Sequence, residues 1–396
     1  MNNNRRSSTR FSGAACRAVF AVLLSCGTAL ALPSDPAADK CQQVIDKATT
    51  FLKSQQKPDN GWQREDDPPA ITAIVLKCFA REPQYGPDAP FVKKGYDKLI
   101  TYQLENGGIY KDMLAVYNTA IAVSSLSFSH DPVVLARRDK ALAYLKSLQW
   151  TDAISGMPKG ETIADDKDPR FGGWGYGHAG RPDGSNLNMV MDALHDANCG
   201  CDDKSFQNAL KFVTRLQNAR TNDQPWAGSD GGFIYTPANG GSSPAGEYTD
   251  SSGKKMFRSY GSMTYAGLKS MIYAGLTKDD PRVKAGMEWV AKNWTLDENP
   301  GMRVGNPEAG QAGIFYYYLT LSRCLHAYKQ PVLTDANGVK HDWRVELVNK
   351  LASLQKDDGH FEGEKKWMEN VPVLCSGYAV QALQEARDDL GEFPPK

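Results

Sequence analysis

Apolar positions along this chain recur at helical spacing in two alternating kinds of segment. In the first kind, pairs such as Phe51-Leu52, Tyr144-Leu145, Phe212-Val213 and Trp289-Val290 form a stripe, with Lys and Gln filling the other side. That is the pattern of a helix with one buried face. In the second kind, "AITAIVLKCFA", "NTAIAVSSL" and "MTYAGLKSMIYA" are apolar nearly all round. A helix apolar on most faces is buried. Between the two comes a glycine turn carrying an aromatic residue, as in "DNGW", "NGGIY", "GGWGY" and "DGGFIY".

This unit repeats six times. Its first helix ends at Gln56, Gln103, Gln149, Gln217, Trp294 and Gln355. The first three anchors are 46 or 47 residues apart, and insertions widen the later spacings. A repeated supersecondary unit that cannot bury its own apolar face stacks on its neighbours. The pattern predicts an all-α protein of six helical hairpins, an (α/α)6 toroid. Outer helices surround inner ones, and a central cavity opens at one end. The Gly-Gly pair lets the backbone turn tightly against the next unit, and the aromatic plugs the gap between hairpins. The two largest insertions, 151–170 and 237–259, have the length of binding loops or lids.

The first residues read differently. Arg5, Arg6, Arg10 and Arg17 precede the apolar run "AVFAVLLSCGTALA", which ends in the small-x-small site Ala29-Leu30-Ala31. This predicts an export signal over 1–31, a linker over 32–40 and one toroid domain over 41–396. "LLSC" at Cys26 offers a lipoprotein alternative. The expected location is the periplasm or the outside of the cell. Among the six cysteines beyond the signal, Cys41 and Cys78 fall on the two helices of one hairpin and Cys324 and Cys375 on successive second helices, which makes each a plausible pair. Cys199 and Cys201 complete the set, and sequence alone leaves the pairing open.

The pattern Lys-Ala-x-x-aromatic-Leu-x-x-x-Gln followed by Gly-x-Trp, best seen in "KALAYLKSLQ" and "GGW", resembles the glutamine–tryptophan repeat of squalene and oxidosqualene cyclases. "GGFIYTP" with "YGSMTYAGLKSM" resembles the core of protein prenyltransferase beta subunits. The series over 41–390 is similar to the exported prenyltransferase and squalene oxidase repeat proteins. The resemblance implies a terpenoid-cyclase-like toroid holding an isoprenoid. Fold does not by itself imply chemistry, and two family constellations are missing. No Asp-x-Asp-Asp is present, and Gly261 stands where the prenyltransferases carry a zinc-binding histidine.

Equal numbers of basic and acidic residues, 46 of each, give no argument for nucleic acid as a partner. No phosphate loop occurs, and no strand precedes "GGWGYG", so no nucleotide cofactor is expected. No metal is expected either, although "HDANCGC" (His195, Cys199, Cys201) has ligand-like spacing. The expected partner is an apolar small molecule, with no membrane span once the signal is cleaved. For a proton donor the candidates are Asp192, on the third inner helix, and Asp66 and Asp67, before the first. Tyr260 and Tyr265 would line the path of a cation. The expected ligand contacts are Asn118, Trp174, Arg181, Asn186, Asn188, Arg258, Tyr316, Tyr317 and Glu369. The unpaired amides of six helix N-termini at one rim would add an anion-binding edge. Two other functions fit the same fold. One is a non-catalytic module for a peptide, glycan or envelope protein. The other is a polysaccharide-active enzyme, which needs two carboxylates in an open cleft.

Overall fold

The computed structural model describes residues 36–151, 166–177 and 181–392. The chain divides into a unit of residues 1–34 and a unit of residues 35–396. The expected signal over 1–31 and Cys26 lie outside the described residues, as does most of the 151–170 insertion.

Among the described residues, six helices form the outer layer: α1 (Pro36–Ser54), α3 (Pro90–Ile100), α5 (Pro132–Ser147), α7 (Lys204–Leu216), α9 (Pro281–Lys292) and α12 (Trp343–Leu354). Six form the inner layer: α2 (Ala70–Ala80), α4 (Ala115–Leu126), α6 (Gly184–Asp196), α8 (Gly261–Tyr273), α11 (Ile314–Tyr328) and α13 (Pro372–Glu392). A one-turn helix, α10 (Met302–Gly305), lies between α9 and α11. Inner helices pack in the order α2, α4, α6, α8, α11, α13, and α13 returns to α2. Outer α1 packs on α12 and α13. The ring is therefore closed, as the six-fold repeat predicts. Because α1 starts at Pro36, the last part of the expected 32–40 linker is helix.

The repeated glutamine explains how one hairpin grips the next. Gln149 Nε2 donates to the carbonyl of Gly172 in its own turn and to that of Ser205 on α7, both at 2.9 Å. Gln56, Gln103 and Gln217 do the same, reaching Phe91 on α3, Arg137 on α5 and Arg282 on α9. Gln355 reaches Val44 on α1 and so joins the last hairpin to the first. Trp294 replaces glutamine in the fifth unit and donates its indole N–H to Glu346 on α12. At four of the clamps, those of Gln103, Gln149, Gln217 and Gln355, the turn glycine is forced by close approach to a carbonyl of the next outer helix. Gly172 has φ +86°, and a Cβ there would sit 2.0 Å from the Asn208 carbonyl oxygen of α7. A second repeated bond ties turn to inner helix. The backbone N–H groups of Trp62, Ile109, Phe233 and Phe361 donate to the hydroxyls of Thr72, Thr119, Thr264 and Ser376.

One expectation is corrected and one is filled in. The 237–259 insertion carries a short antiparallel hairpin, β1 (Glu247–Thr249) with β2 (Lys255–Phe257), and its Ser242, Ser243 and Pro244 line the cavity described below. It is anchored by Phe257 against Trp226 and Ile234. The six described cysteines are free thiols. Cys41 donates to the Leu383 carbonyl, and Cys78 to those of Ile74 and Gly377, so each is spent on inner-helix backbone.

Candidate functional site: a tyrosine-lined cavity at the mouth of the inner ring

The first turns of the inner helices enclose a cavity of about 530 Å³. Six tyrosines line it: Tyr117, Tyr176, Tyr235, Tyr260, Tyr316 and Tyr378. Ile71, Ile74, Ile121, Met263 and Leu374 supply the apolar wall. Arg181, Ser185, Ser242 and Ser243 stand among the polar lining residues. Among the described lining residues, one carboxyl group is present, that of Glu369. Burial pushes the Tyr117, Tyr260, Tyr316 and Tyr378 hydroxyls above the usual phenol range, so these rings stay neutral.

The expected rim of free amides is largely occupied by side chains. Ala70 N–H donates to Asn118 Oδ1, Ser185 and Asn186 N–H to Asp183 Oδ1, Ser262 N–H to Asn299 Oδ1, and Tyr316 N–H to Glu369 Oε1. Four of the six inner helices are thus capped from within the ring. A side-chain acceptor at a helix start takes the place an anionic ligand would use.

Glu369 is more than a cap. Its Oε1 is held 2.9 Å from Tyr316 N, while Oε2 is buried with no hydrogen-bond partner. Burial is the largest influence on this carboxyl and raises it to about 7. The amides of Tyr316, Phe315 and Ile314 pull the other way, and Glu364 adds to the rise. Burial outweighs the helix terminus because the group is nearly cut off from water. The two residues before it, Trp367 and Met368, both have left-handed backbone, φ +56° and +65°. Such conformations cost side-chain-bearing residues about 1–2 kcal/mol each, and they concentrate at functional sites. Here they turn the chain so that Trp367, Met368 and Glu369 all meet the cavity.

A second polar group lies in the wall. Tyr176 Oη is 2.9 Å from Tyr235 Oη and 3.2 Å from Ser185 Oγ, and Ser185 Oγ donates to Asp183 Oδ1 at 2.7 Å. Burial raises Asp183, against the hydrogen bonds of Asn186 and Ser185. Tyr176 and Tyr235 occupy the same place in two units, two residues after the turn aromatic in "GGWGY" and "GGFIY". That equivalence is the sequence signal for them. Asp183 also had a signal, as an Asp directly before a helix.

The structure separates the expected residues into groups. Asn118, Arg181, Tyr260, Tyr316 and Glu369 line the cavity. Asn188 stands behind it, donating to Tyr316 Oη at 3.0 Å, and Asn186 donates to Asp183. Trp174 is fully buried, and its indole N–H donates to the Leu145 carbonyl, so it seals the hairpin. Tyr265 packs edge-on against Tyr317, whose hydroxyl points out to the Thr295 carbonyl. Arg258 lies over the Tyr248 ring on β1. Asp66 is exposed, and Asp67 turns back to Arg64 at 2.9 Å, so neither meets the cavity. His195 stacks on Tyr273.

Asp192 lies below the cavity in a layer of buried charge. It is paired with Lys269 and with Arg323 Nη1 at 2.6 Å. Lys77 bonds Asp196 at 2.5 Å, and the Ser124 hydroxyl donates to the same carboxylate. Arg323 also reaches Asp196 at 3.2 Å, and Arg81 meets Glu385 at 2.6 Å. Both Asp192 oxygens are thus taken up by ion pairs beneath the cavity. Periodicity rightly turned Asp192 inward, but it carries no information on the cations that two other helices bring against it.

This arrangement defines the class: an α/α toroid whose closed inner ring encloses an aromatic cavity. The sequence matches no protein-family model and no curated protein. The fold is similar to that of the type II terpene cyclase MstE from Scytonema. For a variant of that enzyme in complex with geranylgeranyl dihydroxybenzoate, the TM-score is 0.55 at 15% identity over 90% of this chain and 99% of that one. It is also similar to cellobiose 2-epimerase from Spirochaeta thermophila, with TM-score 0.56 at 12% identity, covering 91% and 97% of the two chains. At these identities the likeness is one of fold.

Proposed function

We propose that this protein binds an isoprenoid or another long apolar ligand in its central cavity and acts on it by proton transfer from Glu369. The carrying observation is the wall itself, six neutral tyrosines and apolar side chains around one carboxyl group whose Oε2 has no partner. An acid near 7 is half protonated at neutral pH and suits general acid work. Tyrosine faces stabilise a developing cation by about 0.5–2 kcal/mol each. Proton addition to an alkene would leave the cation among those faces and Glu369 as carboxylate. Loss of a ligand proton to water at the rim, with solvent reprotonating Glu369, completes a redox-neutral isomerisation. The fold likeness to a terpene cyclase supports this reading. A glycoside-cleaving pair needs two carboxylates about 5–10 Å apart, and the described wall offers one.

The test is incubation with a panel of linear isoprenoid alcohols and prenylated phenols, followed by product mass spectrometry. Wild type should form isomers, Glu369→Gln should bind the same compounds without converting them, and wild-type turnover should fall as pH rises through about 7. Equal turnover in Glu369→Gln would remove Glu369 from the chemistry. Binding without conversion by wild type would leave a non-catalytic carrier. We further propose export, on the leader pattern at the N-terminus. N-terminal sequencing of protein from an expressing cell should then begin at Leu32, and an intact leader would contradict it.

A further inference from the structure

The cavity does not end in an apolar floor. Every inner helix sends a polar side chain into the layer beneath it: Lys77 from α2, Ser124 from α4, Asp192 and Asp196 from α6, Lys269 from α8, Arg323 from α11 and Glu385 from α13. Between cavity and layer lies a void of about 20 Å³, bounded by Lys77, Ser124, Asp192 and Arg323. Ile74, Ile121 and Tyr378 line both spaces, so the two adjoin at these three residues.

We propose that this ionic layer is a depth stop that fixes the length of the apolar chain the cavity accepts. The inference rests on the apolar-ligand reading above. Its physical basis is mutual satisfaction. The charged groups of the layer bond one another and leave a chain end nothing to bind. Displacing them would strand buried charge, which is strongly unfavourable. A buried ion network is weak evidence for stability, because an apolar layer of equal volume does as well or better. What the network supplies is one fixed arrangement of side chains. Lys77 also lies in the last turn of its helix, where positive charge is favoured.

The probes are straight-chain 1-alkanols of increasing length, with binding read by intrinsic fluorescence. Wild type should show a sharp length optimum. In Lys77→Ala/Asp196→Ala, which removes bulk without changing net charge, the optimum should move to longer chains. Two further buried methylenes should tighten binding by on the order of ten-fold. Lys77→Met/Asp196→Leu keeps the bulk and should keep the wild-type optimum. Ile121→Phe keeps every charge and adds bulk at the wall the two spaces share, so its optimum should move to shorter chains, and it serves if the alanine pair does not fold. An unchanged optimum in folded alanine-pair protein, or in Ile121→Phe, overturns the depth stop while leaving the ligand reading intact. An equal shift in the Met/Leu pair overturns it too. If wild type binds no chain of any length, the apolar-ligand reading fails and the stop fails with it.

Discussion

Two of the inward-facing carboxyl groups, those of Glu369 and Asp192, differ in what surrounds them. Glu369 meets three backbone amides and an apolar, aromatic wall, and burial lifts it from 4.5 to about 7. Asp192 is ion-paired with Lys269 and Arg323. The difference yields two measurements. The protonated form of Glu369 is the one the fold favours. Its stabilising contribution is fully present below 4.5 and is lost as pH rises through 7, a change of up to about 3 kcal/mol. Wild type should therefore lose stability relative to Glu369→Gln between pH 4.5 and 8. Melting curves that run parallel for the two proteins over that range would refute the assignment. Asp192→Asn leaves two buried cations short of a partner and should lower unfolding stability by about 3–5 kcal/mol, read by urea denaturation. A loss below 1 kcal/mol would mean the layer is wetter than its geometry implies.

At the scale of the hairpin, the residues most legible in the sequence are those that touch backbone. A glutamine, a glycine and an aromatic recur because every hairpin presents the same carbonyls in the same places. The turn at Gly172 makes this quantitative. Gly172→Ala combines a left-handed φ with a Cβ 2.0 Å from Asn208 O, and it should cost more than ~3 kcal/mol. Gly240 has a similar φ, +82°, with no atom near its Cβ position, so Gly240→Ala should cost only about 1 kcal/mol. Equal melting temperatures for the two variants would show that close approach is not what the repeat glycine serves. Gln149→Ala strips a donor from two buried carbonyls, and a loss of about 1–3 kcal/mol is expected in the same assay. The cavity was less legible for the converse reason. Apart from Tyr176 and Tyr235, much of the polar framework around it comes from places that do not repeat: an Asp cap before α6, an Asn between α9 and α10 that caps α8, a strained Trp-Met-Glu step before α13. Position before an inner helix marks Glu369 as a ligand contact. That it is the one carboxyl group among the described lining residues emerges only when Asp66, Asp67 and Asp192 are seen to be elsewhere.

At the scale of the molecule, closure turns six similar hairpins into a container. Gln355 bonding to Val44 and α13 packing on α2 complete both layers. The ring is blocked below by ion pairs and lined above by tyrosines, and four of its helix starts are capped internally. Such a container has more to offer an apolar chain than an anion. That claim is tested most directly by mass spectrometry of the lipid retained when the purified protein is incubated with a total lipid extract and re-isolated. Wild type should carry an apolar lipid in stoichiometric amount. Met263→Trp, which fills the cavity wall, should carry none. A wild type that returns empty, or a filled variant that retains as much as wild type, would contradict the central cavity as an apolar-ligand site.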